Sequence, residues 1–187
     1  MTECACTPGQ TVGPFLDLGL PYPGGGALVG DRHPHAVRLH GAVYDGAGDG
    51  VPDALVELWQ ADDAGHVARQ AGSLRRDTPA FTGWGRCATD ADGRYAFTTV
   101  APGPTAAGRP PFFALTVFAR GLLDRLFTRA YLPGGDLGAD PLLAALDAER
   151  RATLLCVPES DCSDYRFDIR LQGRFETVFL AYRDGGR

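Results

Sequence analysis

The side chains of this chain that could do chemistry are few and scattered. His33 and His35 flank Pro34 in an H-x-H arrangement, a spacing that on a strand would aim two imidazoles the same way. Here the proline argues against a regular strand, and no carboxylate or tyrosine cluster accompanies the pair, so solvated loop histidines are expected. Cys4 and Cys6 lie one residue apart near the N-terminus, but no second pair matches them as a four-ligand metal site requires. His40 and His66 stand alone and read as structural. Two other features suit binding better than bond-making. Thr11-Val12-Gly13-Pro14 offers a hydroxyl, a backbone without a Cβ that a ligand can approach closely, and a proline that stiffens the segment. Arg120 ends a strongly apolar run just before Gly121, where a guanidinium could receive an anion. The plainer readings are a turn at Thr11–Pro14 and a solvated or partner-paired arginine at 120.

The elements that must position these groups are short strands. Ala36–Tyr44 alternates Val37, Leu39, Gly41 and Val43 against Arg38 and His40, the period of a half-buried strand. Asp45–Gly50 is a turn cluster. Ala54–Trp59 follows, with Leu55, Glu57 and Trp59 on one face and Val56 and Leu58 on the other; Glu57, Trp59 and Gln60 read as framework, the Trp as core. Residues 61–82 form a long polar loop. Arg86–Thr89 and Arg94–Val100 flank Asp90-Ala91-Asp92-Gly93 as an expected hairpin. After a second Pro/Gly-rich loop, Ala101–Arg109, the nearly all-apolar Pro111–Ala119 predicts a buried strand, and Leu126–Tyr131 another. Asp140–Thr153 predicts one short helix, with acids early and Arg150 and Arg151 late. Tyr165–Leu171 and Glu176–Tyr182 predict two closing strands around Gly173, and Arg166, Asp168 and Arg170 read as a charged ladder on one face.

The bulk composition fits this picture. A chain of 187 residues, 44% apolar and 22% charged, suits one globular domain. An irregular arm is expected at 1–35 and a β-rich core at 36–182. A net charge of −5 without a basic stretch gives no reason to expect nucleic acid and disfavours an anionic membrane surface. No apolar run approaches the ~20 residues of a spanning helix, and Met1–Cys6 lacks the pattern of a secretion signal. A cytoplasmic location is expected, and with it five reduced cysteines.

Four segments together carry a resemblance: Thr7–Phe15, Leu55–Asp62, Thr89–Phe97 and Tyr165–Gly173, joined by Phe118-Ala119-Arg120-Gly121 and Glu176–Phe179. They resemble the intradiol ring-cleaving dioxygenases from about Thr7 to Tyr182. The resemblance implies a mainly β fold, the family's β-sandwich with an irregular N-terminal arm, long loops and one short helical segment. It also implies ferric iron held by two tyrosine phenolates and two histidines, hard donors that suit Fe(III). This chain departs from that pattern. The two histidine positions match Phe112 and Ala114, one tyrosine position matches Thr105, and the other falls near Ser73 in a loop, 61–82, that has no tyrosine.

The resemblance further implies a partner. One branch of the family pairs a metal-free alpha subunit with an iron-bearing beta subunit, and the active site lies at their interface. The iron is then the partner's, with no metal ligand and no catalytic residue here. By that likeness Thr11, Gly13, Pro14 and Arg120 line the cavity of a small aromatic acid substrate that reacts with O2. A β-sandwich that binds an aromatic acid or a protein without catalysis is the alternative.

Overall fold

The computed structural model describes residues 13, 19–30, 32–68, 81–159 and 163–181. Among the described residues nine strands form two sheets: β1 (Ala36–Tyr44), β2 (Leu55–Trp59), β3 (Trp84–Ala88), β4 (Arg94–Val100), β5 (Phe112–Phe118), β6 (Leu126–Tyr131), β7 (Val157–Glu159), β8 (Asp164–Arg166) and β9 (Ile169–Arg170). One sheet runs β4-β1-β8-β7, with β9 also paired to β1; the other is an antiparallel β3-β2-β5-β6. The alternating apolar positions meet between them. Leu39, Val43, Tyr95 and Phe97 from the first sheet bury against Val56, Leu58, Phe113, Leu115 and Val117 from the second. A smaller cluster of Tyr131, Leu143, Leu154 and Val178 forms separately.

The expected hairpin at 86–100 is not one. Asp90–Gly93 turns as its chemistry dictates: the Asp90 carboxylate accepts from the amides of Asp92 and Arg94 at 2.9 and 2.8 Å, and Gly93 takes φ +79°. Yet β3 pairs with β2 and β4 with β1, so the turn carries the chain from one sheet to the other.

The expected strand at 165–171 is split. Phe167 donates its amide to His40 O at 2.8 Å, and its carbonyl accepts from the Tyr95 hydroxyl at 2.5 Å. The crossing is possible because residue 41 is glycine: a Cβ there would stand 1.9 Å from Phe167 O. The expected strand at 176–182 is a strap that bridges at Leu180 to Phe127, while Val178 fills the smaller cluster.

The expected helix at 140–153 is two pieces, α1 (Pro141–Ala144) and α2 (Ala148–Ala152), preceded by a 3₁₀ turn at Leu137–Ala139. Two aspartates divide it. Asp140 caps α1 through Leu142 N at 2.8 Å, and Asp147 caps α2 through Arg150 N at 2.8 Å. β7, unanticipated, is an edge strand and tolerates Pro158 for that reason. Among the described residues no helix is long and apolar enough to cross a membrane.

The end of the arm is stitched across both sheets. Arg86 N donates to Gly25 O at 2.9 Å, and Leu28 N to Thr98 O at 2.8 Å.

Candidate functional site

The outer face of the four-stranded sheet carries Phe112 and Ala114, the residues that the sequence resemblance sets against the family's two histidines. Register places Trp84, Trp59, Ala114 and Arg129 in one row across β3, β2, β5 and β6, and Phe112 and Tyr131 in the next. Phe112 and Ala114 therefore project from β5 on one side, two residues apart. The Arg129 guanidinium lies 4.2 Å from the Phe112 ring centroid. It reaches the Tyr131 hydroxyl at 3.1 Å and the nearly fully buried Asp140 at 3.6 Å.

A ferric ion does not fit these residues. Phenyl and methyl groups donate nothing, and a fixed guanidinium already supplies positive charge there. Tyr131 lies close by but is a poor phenolate. Burial raises its pKa above the usual phenol value, and the hydrogen bond from Arg129 offsets that only in part. Thr105 is exposed in the 101–109 loop. The position near Ser73 lies outside the described residues. Among the described residues no group of three or more His, Cys, Asp or Glu could hold a metal ion.

Trp59 corrects an expectation. It is not core but 41% exposed, tilted against Trp84 with ring centroids 5.9 Å apart. Its face of β2 looks outward, while Val56 and Leu58 look into the sandwich. Gln60 is framework, as expected: its amide donates to Val100 O at 2.9 Å and its carbonyl accepts from Thr99 at 2.6 Å. Glu57 pairs with Arg86 at 2.5 Å, both side chains largely buried, and so ties β2 to β3.

Of the four expected cavity residues, Thr11 and Pro14 lie outside the described residues. Gly13 is exposed, and a Cβ built on it would meet nothing within 4 Å. Arg120 stands at the end of β5, with its side chain 59% exposed, and pairs with Asp53 at 2.9 Å. It lines an open cleft of about 490 Å³ together with Asp45, Val51, Asp53, Leu122 and Gln172. Gly13 is not among the walls of that cleft, so this chain does not itself bring Gly13 and Arg120 together. Sequence reasoning missed Asp53. The signal was present in the strand register, which only pairing makes visible.

The remaining candidates form no metal cluster among the described residues. His33 and His35 are exposed, with rings 6.1 Å apart, and the His35 amide donates to His33 Nδ1 at 3.3 Å. His40 Nε2 meets Glu159 at 3.1 Å, and His66 meets Asp62 at 3.4 Å. Arg166 bridges Glu159 and Asp168, tying β8 to β7, while Arg170 lies over the Tyr44 ring, tying β9 to β1. Cys87 and Cys156 are free thiols; burial raises both pKa values, that of Cys156 to about 12, which disfavours the thiolate. Cys4, Cys6 and Cys162 lie outside the described residues.

The family model described as Dioxygenase matches residues 28–173. The chain belongs to the intradiol ring-cleaving dioxygenase family. The protocatechuate 3,4-dioxygenase alpha chain of Burkholderia cepacia is 40% identical over 197 aligned positions, covering 96% of this chain and 99% of that one. The beta chain of protocatechuate 3,4-dioxygenase from the same organism is 36% identical, covering 81% of this chain and 69% of that one. Among solved structures, the dioxygenase domain of a carbohydrate-binding fusion from Streptomyces sp. SirexAA-E matches with a TM-score of 0.60 at 26% identity, covering 90% of this chain and 99% of that domain. This intradiol dioxygenase chain thus has the family's two-sheet frame.

Proposed function

We propose that this chain is the non-iron-ligating alpha subunit of a protocatechuate 3,4-dioxygenase. The observation that carries the reading is the end-to-end match to an alpha chain at 40% identity. The separate likeness to a beta chain supports a hetero-oligomer of alpha-beta protomers. In that complex the beta subunit holds the Fe(III), and the assembled site cleaves 3,4-dihydroxybenzoate between its two hydroxylated carbons. Both atoms of O2 enter the product, 3-carboxy-cis,cis-muconate. The whole chain acts as a single domain, in the cytoplasm.

This chain's part is to complete the cavity. Thr11, Gly13 and Pro14 bring a hydroxyl, bare backbone and a stiffened turn to the substrate. Arg120 contributes positive charge near the carboxylate. Two features support these roles: the open space around Gly13 and the outward reach of Arg120 at the mouth of its cleft.

Co-purification tests the proposal. The chain is expressed alone and with a beta-type sister chain, and visible absorbance and protocatechuate-dependent oxygen uptake are recorded. A colourless, inactive single chain and a red-brown, active complex are expected. A folded chain that ignores the sister would sink the reading.

A further inference from the structure

A substrate-cavity role for Arg120 raises the matter of what holds its guanidinium in place, because its side chain is more than half exposed. A long side chain so exposed samples many rotamers unless a fixed partner selects one. We propose that Asp53 is a positioning residue for Arg120, an inference that rests on the function proposed above.

Three observations carry it. The first is register. β2 and β5 pair antiparallel through Leu55 and Phe118, and two residues beyond that pair, at the same end, stand Asp53 and Arg120. They face one another as a cross-strand pair would, and they meet at 2.9 Å. The second is the asymmetry of the pair. The Asp53 side chain is 17% exposed against 59% for Arg120, so the carboxylate is the more deeply seated member and the guanidinium the more exposed one.

The third is the anchoring of Asp53. The buried Thr89 hydroxyl donates to Val51 O at 2.7 Å and accepts from Ala54 N at 3.0 Å, spanning the turn that presents Asp53. Thr89 N donates in turn to Ala54 O at 2.9 Å. Pro52 fixes φ within the same turn. Arg120 itself is the first central residue of a tight turn closed by Leu122 N to Ala119 O at 3.2 Å, with Gly121 at φ +91°. Holding Arg120 from a rigid turn leaves the rest of its donor fork aimed over the cleft, ready for a carboxylate at the interface.

The test is a double-mutant cycle in the co-expressed complex, comparing wild type, Asp53→Ala, Arg120→Ala and the double variant. Steady-state KM and kcat for protocatechuate are measured beside the ferric absorbance of each preparation. The expected result is that Arg120→Ala raises KM. Asp53→Ala should raise KM roughly 3- to 10-fold, the scale of immobilising one rotamer-rich side chain, with kcat within about twofold of wild type and iron unchanged. In the Arg120→Ala background Asp53→Ala should add nothing. An Asp53→Ala variant with wild-type KM, or one whose effect adds in full to that of Arg120→Ala, would overturn the positioning role. A wild-type KM for Arg120→Ala would instead overturn the cavity reading of Arg120, and this inference with it. If Asp53→Ala fails to assemble, Asp53→Asn replaces it in the cycle under the same criteria, since the amide keeps the turn and removes the ion pair.

Discussion

Phe112, Ala114 and Arg129 make their face of the sheet unfit for a metal ion. Phe112 and Ala114 carry a phenyl and a methyl group, and a guanidinium covers the ring at 4.2 Å. Restoring donors alone should therefore not restore iron. The double variant Phe112→His, Ala114→His is expected to remain colourless with ferric salts, because Thr105 supplies no phenolate and Arg129 repels a cation. A new visible charge-transfer band with stoichiometric iron would show that the two histidines suffice. Arg120 invites the opposite experiment. Arg120→Ala in the complex should lower kcat/KM about tenfold, the scale of one charge-assisted hydrogen bond, while iron content stays at the wild-type level. Unchanged kcat/KM would remove Arg120 from the cavity, and lost iron would make it a residue of the interface. At this scale the sequence was legible where a side chain's chemistry is intrinsic. A phenyl or methyl group is no ligand in any fold. It was silent where chemistry depends on a neighbour, as in the pair of Arg120 with Asp53.

Strands were legible where one face is buried and the alternation is clean. β1 and β4 run as their patterns predict, because Leu39, Val43, Tyr95 and Phe97 must all reach one core. The failures have a common physical source: local chemistry specifies a turn but not the partners of the strands beside it. Asp90–Gly93 turns correctly and still joins two different sheets. Asp140 and Asp147 are both good caps, and two caps seven residues apart make two short helices in place of one. The 165–171 pattern reads as continuous, but the Phe167 carbonyl seats itself on Gly41 and breaks the ladder. That crossing gives a direct prediction. Gly41→Ala would place a Cβ 1.9 Å from Phe167 O, a backbone atom that cannot swing aside. A loss of about 3 kcal/mol or more is expected, at the upper end of overpacking costs. Gly30→Ala, which meets nothing within 4 Å, should change stability little. Equal urea midpoints for the two variants would show that the crossing is soft.

The molecule as a whole has an unusual charge inventory. All 18 of its basic side chains are arginine, and it contains no lysine. Arginine stays charged throughout the alkaline range, so between about pH 9 and pH 12 the side chains that titrate are cysteines and tyrosines. Several of these are buried and held neutral by desolvation: Cys156 is raised from 9.0 to about 12, Cys87 is raised, and Tyr95 is raised well above 10.0. The sign follows from where the protons sit. The folded chain keeps them, while the unfolded chain releases its thiol protons near the ordinary value. More protons bound in the folded state means that stability falls as pH rises. The contribution of Cys156 is fully present below about pH 9 and lost progressively toward about 12, to an upper limit of about 4 kcal/mol at 1.36 kcal/mol per pH unit. Urea midpoints of the reduced chain, taken in steps from pH 8 upward, should fall for wild type. Cys156→Ala begins less stable because of the cavity it leaves, but should fall more gently by about one proton's worth of slope. Parallel slopes would mean that the Cys156 thiol titrates as freely folded as unfolded, and that the core around it admits water.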